Sequence, residues 1–123
     1  MPEQNYIVRE TAEGSVNISE EVLATIAAQA VREVDGVGGF ATTLGGEIAE
    51  RLGKRAPSRG VKLAIEGEEV TVDTFILIKY GSVIGDVSRA VQDAVTSGIE
   101  AMTGITVKAV NITVCGVAFE KTK

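Results

Sequence analysis

Val16 and Ile18 alternate with Ser15 and Asn17, a spacing that predicts a short strand over 14–18. Ser19 follows as a helix N-cap. Glu20 and Glu21 occupy the first turn, where the partial positive charge of a helix N-terminus favours anions. Val22, Leu23, Ile26, Ala27, Ala30, Val31 and Val34 then recur at helical spacing, and the glycines of Gly36-Val37-Gly38-Gly39 stop that helix. Between 36 and 60 the pattern is weaker. Glu47 with Arg51 and Ile48 with Leu52 are spaced i, i+4, which suggests a short helix over 46–52, weakened by Gly45, Gly46 and Gly53.

Val61, Leu63 and Ile65 alternate with Lys62 and Ala64, Glu66-Gly67-Glu68-Glu69 reads as a turn, and residues 70–80 read as a longer strand, so the two strands form a hairpin. Val70, Val72, Ile76, Ile78 and Tyr80 share its core face, with Phe75 and Leu77 on the other. Ile84, Val87, Val91, Ala94, Val95, Gly98 and Met102 trace a second amphipathic helix that Gly104 closes. A last strand runs over 107–119, with Val110, Ile112 and Val114 on one face and a kink expected at Gly116.

The order is β-α-β-β-α-β. The fold class is α+β: a single two-layer domain, with two helices on one face of a mainly antiparallel sheet. Residues 1–13 form a flexible N-terminal segment, 14–119 the domain and 120–123 a polar tail.

Composition narrows the function. The 123 residues are 45% hydrophobic, enough for one domain with a real core. A net charge of −5 argues against a nucleic-acid-seeking surface. Histidine is absent and Cys115 is the only cysteine. Serine–histidine and cysteine–histidine chemistry is therefore excluded, and the usual structural zinc ligand sets cannot be assembled from one chain. No cofactor or metal is implied. One cysteine fits a reducing cytoplasm. The N-terminus lacks the pattern of a signal peptide, and the run Phe75-Ile76-Leu77-Ile78 is far too short to span a membrane. Direct membrane insertion is not expected, and membrane contact would come through a partner.

Several motifs invite chemistry, and most have a plainer reading. Gly46, Gly53 and Lys54 suggest a phosphate loop, but Ile48 and Arg55 break the pattern. Gly36-Val37-Gly38-Gly39 matches the GXXG of a KH domain, which would make an RNA binder of this loop and the basic loop over 51–62; a helix cap explains the same glycines. Glu66, Glu68 and Glu69 read as exposed turn residues without calcium-loop spacing.

Two features point to a partner. Arg51, Lys54, Arg55, Arg59 and Lys62 gather with no acid between Arg51 and Ile65, forming a patch for an acidic partner. Phe75 and Leu77 would be exposed if helices cover only one side of the sheet, giving a hydrophobic contact, unless the segment 36–60 folds over them. Arg51, Lys54, Arg55, Arg59, Phe75 and Leu77 are thus the candidate partner-binding residues. No residues are assigned to catalysis, and an enzyme is not expected.

A family resemblance covers nearly the whole chain. Gly14-Ser15-Val16-Asn17-Ile18-Ser19-Glu20-Glu21-Val22, Glu33-Val34-Asp35-Gly36-Val37, Val70-Thr71-Val72-Asp73, Ile78-Lys79-Tyr80-Gly81, Ile99-Glu100-Ala101-Met102-Thr103-Gly104 and Val110-Asn111-Ile112-Thr113-Val114 occur in that order. Together they resemble the bacterial alkaline-shock/general-stress protein family. The resemblance implies a small cytoplasmic protein of Gram-positive-type bacteria acting in cell-envelope or alkaline stress, with fatty-acid synthesis control in some branches. It further implies a protein partner, membrane-anchored for some members, self-assembly into homo-oligomers in others, and no defined catalytic residues. The long charged terminal extensions of some members are absent.

Overall fold

A computed structural model describes residues 6–41 and 60–119. The elements are β1 (Tyr6–Thr11), β2 (Gly14–Ser19), α1 (Glu20–Arg32), β3 (Val37–Phe40), β4 (Val61–Glu66), β5 (Glu69–Lys79), α2 (Ile84–Thr103) and β6 (Thr106–Ala118). The class is α+β as expected, with two strands beyond the sequence-based order.

Where signals are local, the structure follows them. The Val22 amide donates to Ser19 Oγ at 3.2 Å, capping α1. Helix α1 buries Leu23, Ala27, Ala28 and Val31. Val22, expected on that stripe, faces solvent. Helix α2 buries Val87, Val91, Val95 and Ile99, every fourth residue, and ends at Gly104 in the left-handed conformation, φ 75°. Ile84 and Met102 sit at its ends and are exposed. Gly98 faces Ile26 and Ala30, which brings the two helices together there.

The larger sheet is organised around β5. Along one edge β6 runs parallel to it, from Glu69 opposite Thr106 to Lys79 opposite Ala118. The other edge is shared. β4 pairs antiparallel with the N-terminal part of β5, Val61 opposite Thr74 through Glu66 opposite Glu69. β3 pairs antiparallel with the C-terminal part, Val37 opposite Ile78 through Phe40 opposite Ile76. β3 and β4 therefore lie end to end and run in the same direction. Gly60, just before β4, meets this edge at Phe75, whose amide donates to the Gly60 carbonyl at 2.9 Å. The expected kink near Gly116 is a bulge: Ile76 faces Val114 and Leu77 faces Gly116, so Cys115 is the extra residue. A second bulge makes Lys108 the extra residue in the β5–β6 register.

Both helices lie over the face that carries Val70, Val72, Ile76 and Ile78, all in the core with Val110 of β6. Burying each such side chain contributes about 1.5–3 kcal/mol. Thr74 shares this face and is fully buried.

Three expectations are corrected. Residues 6–11, read as part of a flexible lead-in, form β1, which pairs with β2 in a separate two-stranded sheet. Ile7 opposes Ile18 there and buries itself in the core, and Arg9 Nη1 donates to the Gly104 carbonyl at 2.9 Å, fastening the hairpin to the end of α2. The Gly36–Gly39 stretch is not a free loop, because Val37–Phe40 pairs with β5. A Cβ added at Gly38 would lie 2.6 Å from Ala118 Cβ, so the strand glycine serves close packing and offers no cradle for a nucleic-acid backbone. Tyr80 is 73% exposed and lies outside the core, stacked on Phe119 with ring centroids 5.0 Å apart.

Candidate interaction surface

The sequence-predicted residues divide into two groups. Arg51, Lys54, Arg55 and Arg59, with the expected short helix over 46–52, lie outside the described residues. Lys62 is exposed on β4, opposite Asp73. Phe75 and Leu77 do occupy the helix-free face of β5, but they do not form an exposed pair. Phe75 is half-buried, and Leu77 is 6% exposed, opposite Gly39 on one side and Gly116 on the other. Its surface is already used within the molecule. Asp73 on that face accepts a hydrogen bond from Asn111 Nδ2 at 2.9 Å, and Glu66 pairs with Lys108 at 3.2 Å across exposed surface. Exposed pairs of this kind add little stability.

The feature the sequence reading missed is the outer edge of β6. Because β5 uses one edge of β6, the other is an edge of the sheet, and among the described residues no strand pairs with it. Helix α2 leads into β6 through a tight corner. Thr103 Oγ1 donates to the Ile99 carbonyl at 2.6 Å and accepts from the Ile105 amide at 3.0 Å, while Ile105 is fully buried. This corner lays α2 alongside β6. Glu100 then accepts from the Val107 amide and Gln92 Nε2 donates to the Val110 carbonyl, both at 3.1 Å. Gln92 and Glu100 are two helical turns apart on one face, so a single helix stripe closes the first half of the strand edge. From Asn111 onward α2 supplies no such bond among those described.

The open half is also the apolar end. Val117 is 48% exposed and Phe119 70%, and the Phe119 ring stacks on Tyr80. Val83 and Ile84, where β5 turns into α2, are exposed as well. Cys115 sits in the bulge of this half, and burial pushes its thiol pKa up, so it is less reactive than a free thiol. Sequence pattern alone could have flagged this end, since Ala109 to Phe119 carries no charge.

Among the described residues no group of three or more His, Cys, Asp or Glu could hold a metal ion. No described helix is long and apolar enough to cross a membrane.

The model of the alkaline shock protein family, described as having a cell envelope-related function, matches residues 8–119. The Bacillus subtilis (strain 168) protein named Uncharacterized protein YloU is 36% identical over 109 residues, covering 87% of this chain and 91% of the relative. Uncharacterized protein YqhY of the same organism is 33% identical over 111 residues, covering 87% of this chain and 79% of the relative. Among solved structures, MamM CTD M250L aligns with 78% of this chain and 95% of its own, at 11% identity and a TM-score of 0.48.

Proposed function

The chain belongs to the alkaline shock protein family, and from that premise we propose that it is a non-enzymatic protein-interaction module acting in cell-envelope or alkaline stress. The observation that carries this reading is the β6 edge, whose second half keeps free backbone hydrogen-bonding groups, among the described residues, beside the exposed Val117, Phe119 and Tyr80. A sheet edge of this kind recognises another protein through main-chain bonds, with neighbouring side chains giving selectivity. The net charge of −5 and the Val37–Phe40 strand both weigh against nucleic acid as the partner.

The basic residues Arg51, Lys54, Arg55 and Arg59 serve in this proposal as a second contact, for an acidic protein partner. A cytoplasmic module held at the membrane by such a partner, and linked in some settings to fatty-acid synthesis, fits the family's envelope role.

Affinity capture from the source organism, with and without nuclease, tests the proposal. The expected result is an envelope protein that survives nuclease and is lost when Arg55 and Arg59 are both changed to Glu. Unchanged capture by that variant removes the basic contact. Recovery of RNA-linked material alone, lost on nuclease treatment, overturns the protein-binding reading.

A further inference from the structure

We propose that the turn from β5 into α2, together with the close of β6, is a lipid-contact tip that settles shallowly into the surface of a phospholipid bilayer. The contact needs no protein intermediary, so it goes beyond the protein-interaction reading and does not depend on it.

Exposed apolar groups converge on this end. Among the described residues ten large hydrophobic side chains are exposed, and five of them, Tyr80, Val83, Ile84, Val117 and Phe119, lie here. They come from two segments that the fold joins, because the Tyr80 amide donates to the Ala118 carbonyl at 2.8 Å and the two rings stack. Tyr80 has an apolar ring and a polar hydroxyl, which suits a boundary that is apolar on one side and wet on the other.

The start of α2 gives up local stability to keep this end apolar. Helix α1 opens on the Ser19 cap, followed by Glu20 and Glu21. Helix α2 opens on Val83, which supplies no capping bond, followed by Ile84. A serine at 83 would cap the helix, and an acid at 84 would suit its N-terminus. Apolar residues stand at both places instead. A site that breaks a local rule in this way points to a role outside folding.

The same helix start separates a bilayer from a dry protein contact. The amides of Ile84, Gly85 and Asp86 belong to the first turn and have no acceptor among the described residues. A dry protein interface would strand them, and buried polar groups without partners are costly. A headgroup layer keeps water and phosphate oxygens beside them while the neighbouring side chains reach the acyl boundary.

Charge fixes the orientation. Residues 80–85 and 109–119 are uncharged. The charges bordering the tip cancel: Asp86 pairs with Arg89 at 3.3 Å, and Lys79 is matched by Asp35, whose neighbour Gly36 accepts from the Lys79 amide. Glu66, Glu68 and Glu69 gather at the other end of β5, where Glu100 holds the Val107 amide. Ten residue steps of strand separate Glu69 from Lys79, about 33 Å at about 3.3 Å each. Physiological salt screens charges beyond about 8 Å. With the tip down, the carboxylates at the far end are therefore too distant for even an anionic bilayer to repel.

Flotation of the purified chain with vesicles tests this, using phosphatidylcholine alone and phosphatidylcholine mixed with phosphatidylglycerol. The wild-type chain is expected to float with both, and molar salt should not release it. Val83→Ser combined with Ile84→Glu should weaken flotation about tenfold or more. Its melting temperature should hold or rise, because both changes favour the helix start. Phe119→Ser, at the end of the last strand, should weaken flotation as well and decides the matter if the double variant melts lower. Met102→Ser, an exposed residue at the opposite end of α2, should change nothing. A wild-type chain that stays with neither vesicle overturns the proposal, as does flotation that survives both tip variants. Flotation confined to phosphatidylglycerol and abolished by salt would also overturn it, since adsorption would then run through basic residues. If the tip variants lose a captured protein while the wild type never floats, the tip is a protein contact and the lipid proposal fails.

Discussion

The ring of Phe40 lies against Gly60, so the last residue of β3 touches the residue just before β4. Arg32 covers the same ring with its guanidinium carbon 5.6 Å from the ring centroid. A Cβ built on Gly60 would overlap Phe40, and the backbone there has φ +78°, which L side chains rarely adopt. Gly60→Ala should therefore cost about 2–4 kcal/mol, combining left-handed strain with overpacking. Urea unfolding measures it, and a loss under about 0.5 kcal/mol would show that Phe40 moves aside freely.

Gly98 makes the opposite prediction. It lies inside α2, and an added Cβ would sit 3.7 Å from Ile26 Cγ2 and 3.8 Å from Ala30 Cβ, ordinary contact distances. Gly98→Ala should raise stability by about 0.5–1 kcal/mol through reduced backbone entropy in the unfolded chain. A drop in melting temperature would mean that the helices cannot accept even one methyl at their crossing.

Thr74 is fully buried, and among the described residues its Oγ1 has no hydrogen-bond partner. Valine has nearly the same shape without the hydroxyl. Thr74→Val should stabilise the fold by about 1 kcal/mol, because an unmet buried hydroxyl costs about 1–3 kcal/mol. Loss of stability in equilibrium unfolding would reveal a hidden partner for the hydroxyl.

Cys115 carries a pH prediction. Burial raises its thiol pKa, so the native state holds the proton to higher pH than the unfolded chain does. The stability effect is absent below the ordinary thiol range. As pH rises through that range the unfolded chain ionises first, and the native state loses ground. Iodoacetamide should label native Cys115 with a midpoint above that of the urea-unfolded chain, and Cys115→Ala should flatten the alkaline decline in stability. Coincident midpoints would refute the effect.

Much of this architecture can be read one segment at a time. The Ser19 cap, the every-fourth-residue core of α2 and the Gly104 stop depend on residues within a turn or two of each other. Local hydrogen bonding and 3.6-residue periodicity encode them directly. The 61–80 hairpin is legible for the same reason: its two strands are joined by a tight turn at Gly67, and alternation marks Val70, Val72, Ile76 and Ile78 for the core.

The remaining features are set by partners distant in sequence. Val37-Gly38-Gly39-Phe40 has weak strand propensity and becomes β3 because β5 offers it a free edge. β1 is recruited by β2 and anchored by Arg9 at Gly104. Leu77 has the pattern of an exposed residue, yet it is buried between neighbours on other strands.

The β6 edge shows the division most clearly. Sequence alone determined that residues 109–119 are uncharged and strand-forming. Only the fold decided that, among the described residues, this strand lies at the sheet's rim, with Gln92 and Glu100 closing one half and no described residue closing the other. Periodicity reports which face of an element is buried. Which edge stays unpaired depends on the order of strands in space, and that order is chosen by packing across the whole chain.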